Sequence, residues 1–119
     1  MSSKERDWTV KGEFDSRRVF VGGEELLPDE SQRLINHSPD GFSWGYQGSG
    51  PAQLSLAILL KFLSSSLALQ WYQEFKRDFV SSLPQSDFET EIPEEWQFQI
   101  NLNRRLNECL KKNRISTIL

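Results

Sequence analysis

The chain has 119 residues, a net charge of −3, one cysteine and one histidine. This length fits one domain that can bury its own core, so it needs neither disulfides nor a structural metal. The single Cys109 excludes an intrachain disulfide and points to a reducing compartment, one Cys with one His does not make a zinc site, and the acidic balance lacks the basic footprint of a nonspecific nucleic-acid binder.

Met1 to Asp7 is polar with no apolar stretch behind it, so no signal peptide is expected. The longest apolar run, Leu54 to Leu63, is interrupted by Ser55 and Lys61 and is too short to span a bilayer. The expectation is a cytoplasmic protein with no membrane partner, no metal and no cofactor.

Trp8 to Phe14 alternates as a strand, with Trp8, Val10 and Phe14 on one side. Asp15-Ser16 reads as a turn and Arg17 to Val21 as a second strand. Gly22-Gly23 is a two-residue hairpin signal, and Glu24 to Leu27 returns as a short strand stopped by Pro28. Asp29 to Ser31 reads as a loop and Gln32 to His37 as a further strand.

Ser38-Pro39-Asp40-Gly41 has type I turn chemistry. Phe42, Trp44 and Tyr46 alternate after it. Pairing about Pro39-Asp40 would gather Arg33, Ile35, His37, Phe42, Trp44 and Tyr46 on one face.

Gly48-Ser49-Gly50 then leads into a helix with Pro51 at its first position. From Ala52 to Leu63 only Gln53, Ser55 and Lys61 are polar, which predicts a buried central helix. Ser66 is placed to cap the next helix. There Leu67, Trp71, Phe75, Phe79 and Leu83 recur every four residues beside Ala68 and Tyr72, and Pro84 ends it.

The acidic stretch from about 85 to 95 reads as an exposed loop. Trp96, Phe98 and Ile100 alternate as a late strand. Asn101 then caps a last helix with Leu102, Leu106, Cys109 and Leu110 on one stripe. Both ends, about 1–6 and 115–119, are expected to fray. The whole of 1–119 reads as a single α+β domain, with an antiparallel sheet of about five to six strands against a buried central helix and two amphipathic helices.

The run His37-Ser38-Pro39-Asp40-Gly41-Phe42-Ser43-Trp44-Gly45-Tyr46-Gln47-Gly48-Ser49-Gly50-Pro51-Ala52-Gln53-Leu54 resembles the signature of the domain-of-unknown-function 6166 family. Tyr72-Gln73-Glu74-Phe75-Lys76 with Leu83-Pro84, and the opening meander with Gly22-Gly23, are similar to it too. The resemblance covers roughly residues 8 to 84. It implies a fold neighbourhood and a setting in prokaryotes, their viruses and mobile elements. It implies no activity and supplies no catalytic residues. The acidic loop looks like a local elaboration.

Gly48-Ser49-Gly50 lies before a helix N-terminus, where amides can receive a phosphate or carboxylate. It is neither a P-loop nor a dinucleotide fingerprint. The architectural alternative is a tight connection that lets the helix pack close. An exposed helix terminus contributes only about 0.3–1 kcal/mol toward an anion, whereas micromolar binding needs about 8 kcal/mol. A site would therefore recruit Arg33, His37, Trp44 and Tyr46 as cation and stacking surface.

The leading expectation is a non-enzymatic binding protein of viral or mobile-element type. It would hold a small anion, such as a nucleotide acting as a host defence signal, at Arg33, His37, Trp44, Tyr46, Gly48, Ser49 and Gly50. The alternative is a protein-interaction module, such as an inhibitor of a host defence protein. Its surface would be the acidic Asp87, Glu89, Glu91, Glu94 and Glu95, the basic Arg104, Arg105, Lys111, Lys112 and Arg114, or exposed helix aromatics. A homodimer is among its partners. A third reading is a hydrolase-type site pairing His37 with Ser38, Asp40 or Ser49.

Overall fold

The computed structural model describes residues 7–118. Three strands open the chain: β1 (Thr9–Glu13), β2 (Arg18–Val21) and β3 (Glu24–Leu26). Gly22 and Gly23 both have positive φ, 58° and 84°, as the tight turn between β2 and β3 requires. Then follow α1 (Asp29–Leu34), α2 (Ser49–Leu60), α3 (Ser65–Asp78), a 3₁₀ turn (Val80–Ser82), β4 (Phe88–Glu91) and α4 (Glu94–Ile118). The α+β class stands as expected. The sheet has four antiparallel strands, not five or six, in the order β3-β2-β1-β4.

Two expected strands are helices. The first half of the segment expected as a strand at 32–37 falls in α1, which carries Asp29 and Glu30 in its first turn and Arg33 in its last, matching the helix dipole at both ends. Trp96 to Ile100 opens α4. Alternation over 96, 98 and 100 suits a strand, but 96 and 100 also share a helix face. Trp96 and Ile100 are buried while Phe98 is 67% exposed, so the helical period wins. Asn101 therefore lies inside the helix and not at its start.

A third expected strand, Phe42 to Tyr46, is irregular. The Ser38–Gly41 turn does form, with Gly41 N donating to Ser38 O at 3.2 Å. However, Gly41 and Gly45 have φ of 108° and 88°, which no continuous strand tolerates.

The expected acidic loop contains an edge strand. β4 pairs with β1 in the register Gly12↔Phe88 and Thr9↔Glu91. Gly12 carries no Cβ because the Phe88 ring and the Trp44 ring already occupy that space. Glu89 and Glu91 on this edge discourage a further strand from adding.

α2 is the central helix: every residue from Gly50 to Leu59 is buried. α3 is capped by Ser64, not Ser66, whose Oγ accepts from Leu67 N at 3.4 Å. It buries Ala68, Tyr72 and Phe75 against α2. Val10, Val19 and Val21 of the sheet join Leu54, Ile58, Phe75 and Ile100 in one core. The helix α4 runs to Ile118, and the expected frayed segment 1–6 lies outside the described residues.

Candidate functional site

The segment from Asn36 to Leu54 is built around Gln53, a fully buried polar side chain on α2. Its Nε2 donates to Ser31 Oγ at 2.9 Å and to Ile35 O at 3.0 Å. Its Oε1 accepts from His37 N at 2.7 Å and Ser38 N at 2.9 Å. One amide thus satisfies the backbone leaving α1, which otherwise has no ladder to join. Ser31, itself buried, donates to Pro28 O at 2.8 Å and closes the network.

His37 then reaches α3. Its Nε2 lies 2.7 Å from the Tyr72 hydroxyl, and the two rings are tilted at 45°. This side-chain partner is a phenol; the triad arrangement expected with Ser38, Asp40 or Ser49 is not among the hydrogen bonds of the described residues.

Trp44 is the floor of the segment. It is fully buried, and its Nε1 donates to Ser86 O at 3.1 Å. Phe88 and Phe14 pack edge-on against it at 5.2 and 5.7 Å. Gly45 follows with a left-handed backbone, its N donating to Val80 O at 3.1 Å and its O accepting from Gln85 Nε2 at 3.0 Å. A Cβ there would stand 2.8 Å from Leu83 O.

Tyr46 turns back over the glycine loop. A Cβ on Gly48 would lie 2.5 Å from its ring, and one on Gly50 would lie 2.7 Å from Ser43 Cβ and 3.2 Å from the Tyr46 hydroxyl. Gly48 is extended, at φ −177°, so it is there for room and not for its backbone angles. It starts α2 with no side-chain cap, and Ser49 beside it is exposed.

Arg33, His37, Trp44 and Tyr46, expected together on one strand face, therefore do not share one. Arg33 is exposed on the last turn of α1, and Trp44 is enclosed in the core. Tyr46 covers Gly48 and approaches Gly50, next to Ser49, while His37 points to α3. The shared strand face expected for Arg33, His37, Trp44 and Tyr46 is overturned because neither of its strands forms.

Three grooves lie elsewhere. One of about 650 Å³ is lined by Lys11, Glu13, Asp87 and Glu89 among others. A second of about 300 Å³ includes Asp7, Lys11 and Phe20, and a third of about 520 Å³ runs between the end of α3 and β4. None is lined by the seven residues. On the uncovered sheet face, Arg18 and Glu25 meet at 3.1 Å, and the bond between them holds the Glu25 carboxyl below the usual glutamate range. Among the described residues no group of three or more His, Cys, Asp or Glu side chains is placed to hold a metal. Among the described residues no helix is long and apolar enough to cross a membrane.

Sequence reasoning missed the outer face of α4. Trp96 is anchored by Nε1 donating to Asp78 Oδ2 at 3.0 Å and by edge-on contact with Phe75 at 5.1 Å. Ile100, one turn on, is buried too, and it is the last buried residue of the helix among the described side chains. On the opposite side Phe98, Leu102 and Leu106 are 67%, 37% and 53% exposed. Their four-residue spacing was the available signal. It was split between a supposed strand and a supposed helix.

The chain belongs to the family of unknown function DUF6166, whose model matches residues 9–101. The match starts at β1 and stops one residue after Ile100, where α4 leaves the core. No curated protein and no solved structure matches the chain.

Proposed function

We propose that this chain is a non-enzymatic protein-interaction module whose contact surface is the outer face of α4. One observation carries the reading: Phe98, Leu102 and Leu106 stay exposed in a row along a helix that runs on past Ile100, the last buried residue among the described side chains. A helical stretch that packs on nothing is marginal in water, and most helical stability in proteins comes from a packed apolar face. A row of large apolar side chains at helical spacing is the form such a packed face takes.

The signature segment supports this reading by its architecture. Gln53 holds the backbone at 37 and 38, Trp44 fills the core, Gly45 supplies a left-handed turn, and Gly48 and Gly50 make room for Tyr46 and Ser43. These residues have structural work without any ligand. The setting implied by the family resemblance makes a host defence protein one class of partner, met in the host cytoplasm.

A photo-crosslinking phenylalanine analogue at position 98, in cells of the natural source, tests the proposal. Covalent adducts to protein are expected there and not from the exposed Glu30 on α1. Equal labelling at both positions, or none at 98, would overturn it.

A second reading keeps a small anion, such as a nucleotide, at the start of α2. It is favoured by the length of α2, twelve residues, and by the exposure of its first residue, Ser49. Native mass spectrometry of the protein from its source separates the two. A mass increment matching a nucleotide supports the anion, and an unliganded mass supports the interaction face.

A further inference from the structure

We infer that the partner of this face is a second copy of the same chain, with the two α4 helices antiparallel and centred between Asn103 and Arg104. The inference rests on the reading of α4 as a contact surface and adds its occupant and geometry.

The argument comes from spacing and charge. Along α4, after the exposed Glu95, exposed residues step by four and three over Phe98, Leu102, Arg105 and Cys109. This is the period that keeps a seam facing one partner helix. The series is symmetric about the point between residues 103 and 104. An antiparallel copy therefore sets Phe98 opposite Cys109 and Leu102 opposite Arg105. Leu106 flanks the centre and covers the Leu102–Arg105 pair.

Charge selects the antiparallel direction. The first turn of α4 carries Glu94 and Glu95. From residue 104 onward its sequence carries Arg104, Arg105, Lys111, Lys112 and Arg114 against Glu108 alone. In a parallel pair the acidic starts would face each other and the basic ends would do the same. In an antiparallel pair each acidic start meets the partner's basic end, an arrangement in which like charges are kept apart and two-fold symmetry satisfies both ends at once. The helix of 25 residues spans about 37 Å, long enough for several turns of seam.

The single cysteine provides the test. In the antiparallel register the two Cys109 residues stand 11 residues apart along the seam, about 16 Å, far beyond disulfide reach. Phe98→Cys brings a new thiol opposite the partner's Cys109. Phe98 is exposed, so this change leaves the core intact, which a thermal melt checks.

Copper-phenanthroline oxidation followed by non-reducing electrophoresis should leave the native chain monomeric in the gel and convert Phe98→Cys to a covalent dimer. Phe98→Cys combined with Cys109→Ser should return to the monomer band. Sedimentation equilibrium of the reduced native protein should give twice the 13.8 kDa chain mass, and Leu102→Glu with Leu106→Glu should give the chain mass.

A native dimer that oxidises through Cys109 alone would overturn the antiparallel register, and a dimer that Phe98→Cys fails to trap would overturn the seam. A native monomer that still gives protein adducts from position 98 would overturn the second copy and leave the interaction face standing. A monomer with no adducts would remove both.

Discussion

Replacing Gln53 by Leu removes one side chain and four hydrogen bonds. The Leu side chain fits the apolar surroundings of α2, so little packing is lost. What is lost is the acceptor for His37 N and Ser38 N and the donor to Ile35 O and Ser31 Oγ. Each hydrogen bond contributes a net ~1 kcal/mol, and a buried backbone group left unpaired costs ~1–3 kcal/mol. Ser31 keeps its bond to Pro28 O, so three groups bear the loss. The sum is about 3–5 kcal/mol. For a domain of this size 1 kcal/mol moves the melting temperature by about 3–5 °C, which places Gln53→Leu about 10–20 °C below the native protein. Urea unfolding followed by circular dichroism should show the midpoint falling with an unchanged slope. Ser31→Ala, which removes a single partner of Gln53, should cost about 1 kcal/mol. A Gln53→Leu variant melting within 2–3 °C of native, against the scale of one hydrogen bond, would refute the view that this amide organises the segment.

Other outcomes follow from the same geometry. Gly45→Ala must place a Cβ against Leu83 O at φ 88° and should destabilise by about 2–4 kcal/mol in a thermal melt. Trp44→Ala should cost about 3–5 kcal/mol, whereas Tyr46→Ala, at a residue 43% exposed, should cost less than half as much. Glu25, held below the usual range first by its hydrogen bond from Arg18, should titrate higher in Arg18→Gln when its carboxyl is followed by NMR. Because that pKa is depressed in the folded state, the stabilisation is present above the unfolded value and disappears as pH falls through the folded one.

The sequence made the opening meander, the Gly22-Gly23 hairpin, the buried α2 and the amphipathic α3 legible, because each rests on one strong periodicity or one turn signal. It failed where two periods fit the same residues. Trp96, Phe98 and Ile100 fit a two-residue repeat, Trp96 and Ile100 fit a four-residue one as well, and contact with Phe75 and Asp78 decides for the helix. It failed also where a tertiary partner overrides local preference. Phe88 to Glu91 is acidic and reads as loop, yet β1 supplies a ladder for it. The proposed ligand face depended on a hairpin that Gly41 and Gly45 do not permit. The lone Gln53 in an apolar helix was visible, but its four partners are separated in sequence by 15 to 22 residues and could not be read from it.

Hydrogen exchange along α4 tests the central claim most directly. In the protein isolated from its natural source, amides from 102 onward should exchange as slowly as those near the buried Trp96 and Ile100. Changing Phe98, Leu102 and Leu106 together to Gln should release the outer half to fast exchange while 94–100 stays protected. Fast exchange beyond 102 in the native protein, unchanged by these substitutions, would contradict the claim that the outer face of α4 is covered by protein.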